Sequence, residues 1–106
     1  MTKRLLEDVY TTLQTANLAA NESQFCEQWL AKSACYMRTL RFTDTEPSAE
    51  ALATLGSKLG YYANELARRD DATSKHWAAA LTELRGQTQS ALEAKVRERW
   101  KRVCNA

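Results

Sequence analysis

The stretch Asn21 to Leu59, NESQFCEQWLAKSACYMRTLRFTDTEPSAEALATLGSKL, decides how this chain is read. It opens with Asn21-x-x-Gln24, the form of a capping box, in which an asparagine and a glutamine three residues later satisfy the first free amides of a helix. Phe25, Trp29 and Leu30 then recur at helical spacing with Cys26 beside them, and Glu22 and Glu27 lie toward the start, where negative charge suits the dipole. The pattern breaks at Ala31-Lys32, and Ser33 is placed to cap a second short helix whose inner face is Tyr36, Met37 and Leu40. The outer face is then Ala34, Cys35, Arg38 and Thr39, with Arg41 at its edge. Two short helices joined by a tight turn, the second carrying bases, form a helix-turn-helix pattern.

Working outward, FTDTEP from Phe42 to Pro47 reads as a polar, acidic loop. Pro47-Ser48 opens the next helix, and Leu52, Leu55, Leu59, Tyr62 and Leu66 carry one apolar line through Gly56 and Gly60 to about Arg68, with an end at Gly60 as a C′ residue as the alternative. On the N-terminal side, Leu5, Leu6, Val9, Tyr10 and Leu13 make the inner face of a first helix from Lys3 to about Asn17. The second clear break is Arg69 to Thr73, where Asp71 or Thr73 can cap the final helical stretch. Beyond it, Trp77, Leu81, Leu84, Thr88, Ala91, Lys95, Glu98 and Arg102 trace one seam, and Leu92, Val96, Trp100 and Val103 an adjacent one. The step between the seams near Gly86 is read as one long, bent helix; Ser90-x-x-Glu93 capping a separate final helix is the alternative.

Composition agrees with helices. The chain has 106 residues, three glycines and one proline, with 44% hydrophobic and 26% charged residues. The expectation is an all-α fold, a five-helix array with a long C-terminal helix. Residues 1–60 carry the helix-turn-helix, and residues 61–106 form a helical extension for dimerisation, within one compact unit. No apolar run suits a membrane helix, and the acids in MTKRLLEDVY exclude a signal peptide, so a cytoplasmic protein is expected. The charge of +2 is small, but Lys32 to Arg41 holds three bases and no acid, and Lys95 to Arg102 holds five bases against Glu98.

No enzymatic or metal site is expected. Cys26, Cys35 and Cys104 have no paired spacing, His76 is the single histidine, and there is no glycine-rich phosphate loop. No cofactor is called for.

Residues 21–59 resemble the Cro and λ-repressor (XRE) type of helix-turn-helix. In that family a small residue, usually glycine, ends the first short helix, a Ser or Thr opens the recognition helix, and a polar loop leads to Pro-Ser and a leucine-rich helix. The corresponding residues here are Ala31 in place of the glycine, Ser33, Tyr36-Met37 with Leu40, and Pro47-Ser48 with Leu52 and Leu55. The resemblance implies a λ-repressor-like core and a small transcriptional regulator that binds double-stranded DNA as a homodimer. Its DNA-binding residues would be Lys32, Ser33, Ala34, Cys35, Arg38, Thr39 and Arg41, with Arg38 suited to a guanine edge and Lys32 and Arg41 to phosphates. Dimerisation would use Trp77, Leu81, Leu84, Leu92, Val96, Trp100 and Val103, because so long a final helix overhangs a small core. The alternative is a helical adaptor that uses the same fold to bind a protein partner without touching DNA.

Overall fold

The computed structural model describes residues 2–104, with the side chain of residue 2 outside the description. It is all-α, with five helices: α1 (Thr2–Thr15), α2 (Glu22–Trp29), α3 (Tyr36–Thr43), α4 (Ala49–Ala67) and α5 (Ala72–Cys104). None of these helices is long and apolar enough to cross a membrane.

The helix ends follow from local chemistry. Asn21 caps α2 by accepting from the Gln24 amide at 2.8 Å, and Gln24 returns the bond by accepting from the Ala20 amide at 2.6 Å. Ser48 caps α4 by accepting from the Ala51 amide. Asp71 caps α5, its carboxylate accepting from the Ser74 amide at 2.8 Å, and the Ser74 hydroxyl and then that amide hold the carboxyl below its ordinary range. Three helices end in left-handed residues that are not glycine: Asn17, Ala31 and Asp44. At the first, the Leu18 amide donates to the Leu13 carbonyl and the Asn17 amide to that of Gln14, the paired bonds of a Schellman turn.

One core joins all five helices. It takes Leu6, Val9 and Leu13 from α1, Phe25 and Trp29 from α2, Met37 and Leu40 from α3, Leu52, Leu55 and Leu59 from α4, and Ala78, Leu81 and Leu84 from α5. The division expected at residues 60 and 61 falls inside α4, which runs unbroken through Gly60. The two segments therefore share a single core and do not form separate bodies. Helices α4 and α5 make the most extensive packing, and the glycines sit where α5 comes close. A Cβ on Gly60 would stand 2.7 Å from Nε of Arg85, whereas one on Gly56 would meet the Thr88 methyl at 3.7 Å.

Residues 72–104 are one helix of 33 residues, about 50 Å long at ~1.5 Å per residue, which accounts for a longest dimension of 52 Å. The step in its apolar line is absorbed by Thr88. That side chain is fully buried, and its hydroxyl donates to the Leu84 carbonyl at 2.8 Å, so the helix carries a polar group through the core without an unpaired atom.

Ala31 is the costly end, since a left-handed L-residue carries roughly 1–2 kcal/mol that asparagine and aspartate partly recover through local bonding. Ala31→Gly removes that strain and gives back part of it as unfolded-state freedom. The expected net gain is about 1 kcal/mol, read as a higher urea midpoint with an unchanged slope.

Candidate functional site

The connection between α2 and α3 differs from the tight turn read in the sequence. Helix α2 ends at Trp29, Leu30 is its C-cap, Ala31 turns left-handed at φ 54°, and the Lys32 amide donates to the Cys26 carbonyl at 3.0 Å. Ser33, Ala34 and Cys35 then make a separate turn closed by the Tyr36 amide on the Ser33 carbonyl. Helix α3 therefore starts at Tyr36 and not just after Ser33, with Cys35 as an N-cap that offers no side-chain bond. Ser33 faces the Cys35 thiol, 3.7 Å away, instead of the helix amides. The other end of α3 is also later than expected. Phe42 and Thr43 are helical, because Asp44 is left-handed and both its amide and that of Thr45 close on the Leu40 carbonyl.

Met37 and Leu40 anchor α3 in the core, and the Tyr36 hydroxyl accepts from the Ser48 amide at 3.0 Å, tying the start of α3 to the cap of α4. What faces away is the stripe Cys35, Arg38, Thr39 and Phe42, spaced by three, one and three residues along one side of the helix. All four are exposed, and Phe42 is 91% exposed. No carboxylate interrupts the stripe, and Arg38 makes no ion pair among the described residues.

The two bases assigned to phosphates are in a different state. Lys32 pairs with Glu50 at 3.0 Å and stands 5.8 Å above the Tyr36 ring. Arg41 reaches Glu22 with two hydrogen bonds, at 2.8 and 3.2 Å, and Glu7 at 3.2 Å. The Glu22 carboxylate beside it, and then Glu7, push the guanidinium pKa up. Lys3 likewise pairs with Asp44 and lowers that carboxyl. Thus Ser33, Ala34, Cys35, Arg38 and Thr39 lie open together, while Lys32 and Arg41 flank them in internal ion pairs. Phe42, which reads as loop in the sequence, is missed there. Its place seven residues after Cys35 and four after Arg38 was the signal available.

The expected dimerisation set divides. Leu81 and Leu84 are buried in the chain's own core against α4, and Trp77 is half-buried at its edge, with His76 edge-on to it at 5.0 Å. Leu81 and Leu84 cannot serve a second subunit without unpacking the molecule, since the seam they follow is the one that closes the α4–α5 pair. Leu92 is half-buried, and only Val96, Trp100 and Val103, at 42%, 45% and 70% exposed, present apolar surface outward. An open groove of about 760 Å³ lies between α1 and the second half of α5, bordered by Arg4, Asp8, Pro47, Ala94 and Lys95. None of the residues read as DNA-binding lines it.

The three cysteines are unpaired and sit in contrasting surroundings. Burial pushes the Cys26 thiol up, while the hydroxyls of Ser33 and then Thr39 draw the exposed Cys35 thiol down. Native thiol titration with a coloured disulfide reagent should therefore read two accessible groups, Cys35 reacting faster than Cys104. Cys26 should appear only after unfolding.

Over residues 6–101, from the second turn of α1 to the last turn of α5, the sequence matches a described protein family. No curated protein and no solved structure gives a match. The chain belongs to the family described as "Family of unknown function (DUF6626)".

Proposed function

We propose that this chain is a small DNA-binding transcriptional regulator that reads the major groove with α3 and acts as a homodimer. The observation that carries this reading is the outward stripe of α3. Arg38 and Thr39 stand in solvent with no carboxylate beside them, on a short helix fixed from behind by Met37, Leu40 and the Tyr36–Ser48 hydrogen bond. The left-handed conformation of Ala31 adds support, because it gives a physical reason for the glycine that helix-turn-helix proteins of the XRE type usually carry at this place. An exposed arginine on such a helix can give two hydrogen bonds to a guanine edge, worth ~1–3 kcal/mol of discrimination.

The ion pairs of Lys32 and Arg41 are compatible with contacts to phosphate. A single exposed pair is worth roughly 0.2–1 kcal/mol, so Lys32 exchanges Glu50 for a phosphate at little cost, whereas Arg41, held by two bonds to Glu22 and one to Glu7, gives up more. The same pairs, with the low net charge, are what favour the second reading, an adaptor that docks a protein on α3.

The test is selection of bound duplexes from genomic fragments by the purified protein, at low and then moderate salt. Enrichment that persists at moderate salt supports a base-reading site, because phosphate-only binding falls steeply with added salt. Arg38→Ala should then weaken the selected duplex by roughly five- to a hundred-fold and random DNA far less. Equal losses on both would reduce Arg38 to a phosphate contact. No enriched duplex, together with a protein that co-purifies and is lost in Arg38→Ala, would replace this reading with the adaptor.

For the homodimer, the supporting feature is the apolar residue set Val96, Trp100 and Val103 on the last turns of α5. Trp100→Ala should leave helicity unchanged while shifting sedimentation toward the monomer and lowering the melting temperature to a value that no longer depends on protein concentration. An unchanged sedimentation profile would remove α5 from the interface.

A further inference from the structure

We propose that Phe42 is a specificity-determining residue that reads the methyl group of a thymine in the major groove; the proposal rests on the reading of α3 as a base-reading helix and adds a second base to it. Phe42 is 91% exposed on the stripe that carries Arg38, one turn further along. It contributes nothing to the core, which α3 enters through Met37 and Leu40 with Tyr36 packed against them. Its helical conformation is imposed by the Asp44 and Thr45 amides closing on the Leu40 carbonyl, so the ring is held on the outward face and not released into a loop. An apolar ring one turn from a guanidinium that makes no ion pair among the described residues, with no carboxylate on the stripe, has a definite complement. The guanidinium fits the acceptor atoms of a guanine, and the ring fits the thymine C5 methyl, the apolar group that the major groove displays.

The spacing gives a second constraint. Four residues of α-helix rise ~6 Å, and base pairs succeed one another every ~3.4 Å, so the thymine lies about two base-pair steps from the guanine read by Arg38. A protein partner that offers an apolar pocket and a carboxylate would also accept the ring and the guanidinium. That occupant is therefore an outcome of the test.

The experiment uses the full chain and the duplex selected by it, with each thymine replaced singly by deoxyuridine, which removes the methyl and leaves pairing intact. In the wild type, one position, or a symmetric pair in a dimeric site, should lose about fourfold in affinity. That is the effect of one buried methyl at ~0.8 kcal/mol. In Phe42→Ala, whose fold is checked by its circular dichroism, the selected duplex should bind more weakly and deoxyuridine at that position should have no further effect. The inference is overturned if the selected duplex binds and no thymine responds, or if the deoxyuridine loss persists in Phe42→Ala. If no duplex is selected, the regulator reading falls and takes this inference with it. If Phe42→Ala instead releases a co-purifying protein, the ring belongs to a protein interface and the inference is again overturned.

Discussion

The left-handed turn at Ala31 is the constraint on which the rest depends. Trp29 and Leu30, immediately before it, are fully buried, with the Trp29 ring 5.1 Å from that of Tyr62 and the Lys58 ammonium 4.9 Å above it. Lys58 also donates to the Gln28 carbonyl at 2.6 Å, so α4 holds the end of α2 by its side chain and by its backbone. With α2 fixed this way, the chain has to reverse within a few residues for Met37 and Leu40 to reach the same core. A single residue in the left-handed region does this, at a cost that the burial of Trp29 and Leu30 more than offsets.

From that turn comes the division of α3 into two faces. Its inner face is held by the core and by the Tyr36 hydroxyl on the Ser48 amide. Its outer face is what the packing leaves over. Acids gather around that face and not on it: Glu7, Glu22 and Asp44 are each engaged by a base near the ends of α3, and Glu50 by Lys32. The result is a small surface where a lone guanidinium and an exposed ring stand between neutralised pairs. It is this pattern of charge, more than the net charge of +2, that points toward a partner with acceptor atoms and apolar groups at close spacing.

Much of the fold was legible in the sequence. The apolar lines of α1, α2, α4 and α5, the Asn21 and Ser48 caps and the continuity of α4 through Gly56 and Gly60 all rest on interactions within one or two turns, which periodicity reports directly. All but one of the misses share a cause, in that they depend on residues distant in sequence; the helical Phe42-Thr43 is the local exception. Ser33 has the chemistry of an N-cap, but the placement of α3 is set by its anchors in the core and on Ser48, so the serine ends in a separate turn. Phe42-Thr43 looked like loop because acids and threonines come after them, and only the closure on Leu40 keeps them helical. Arg41 looked available because Glu22 is nineteen positions away. Leu81 and Leu84 suited a second subunit as well as α4, and only the antiparallel return of α5 along α4 decides between them.

The most direct measurement of the central claim is the amide spectrum of isotope-labelled protein titrated with a selected duplex at moderate salt. The largest shifts should fall on Cys35, Arg38, Thr39 and Phe42, with smaller ones at Lys32 and Arg41 as their carboxylate partners are exchanged. Shifts confined to the basic end of α5, or spread evenly over the surface, would contradict it.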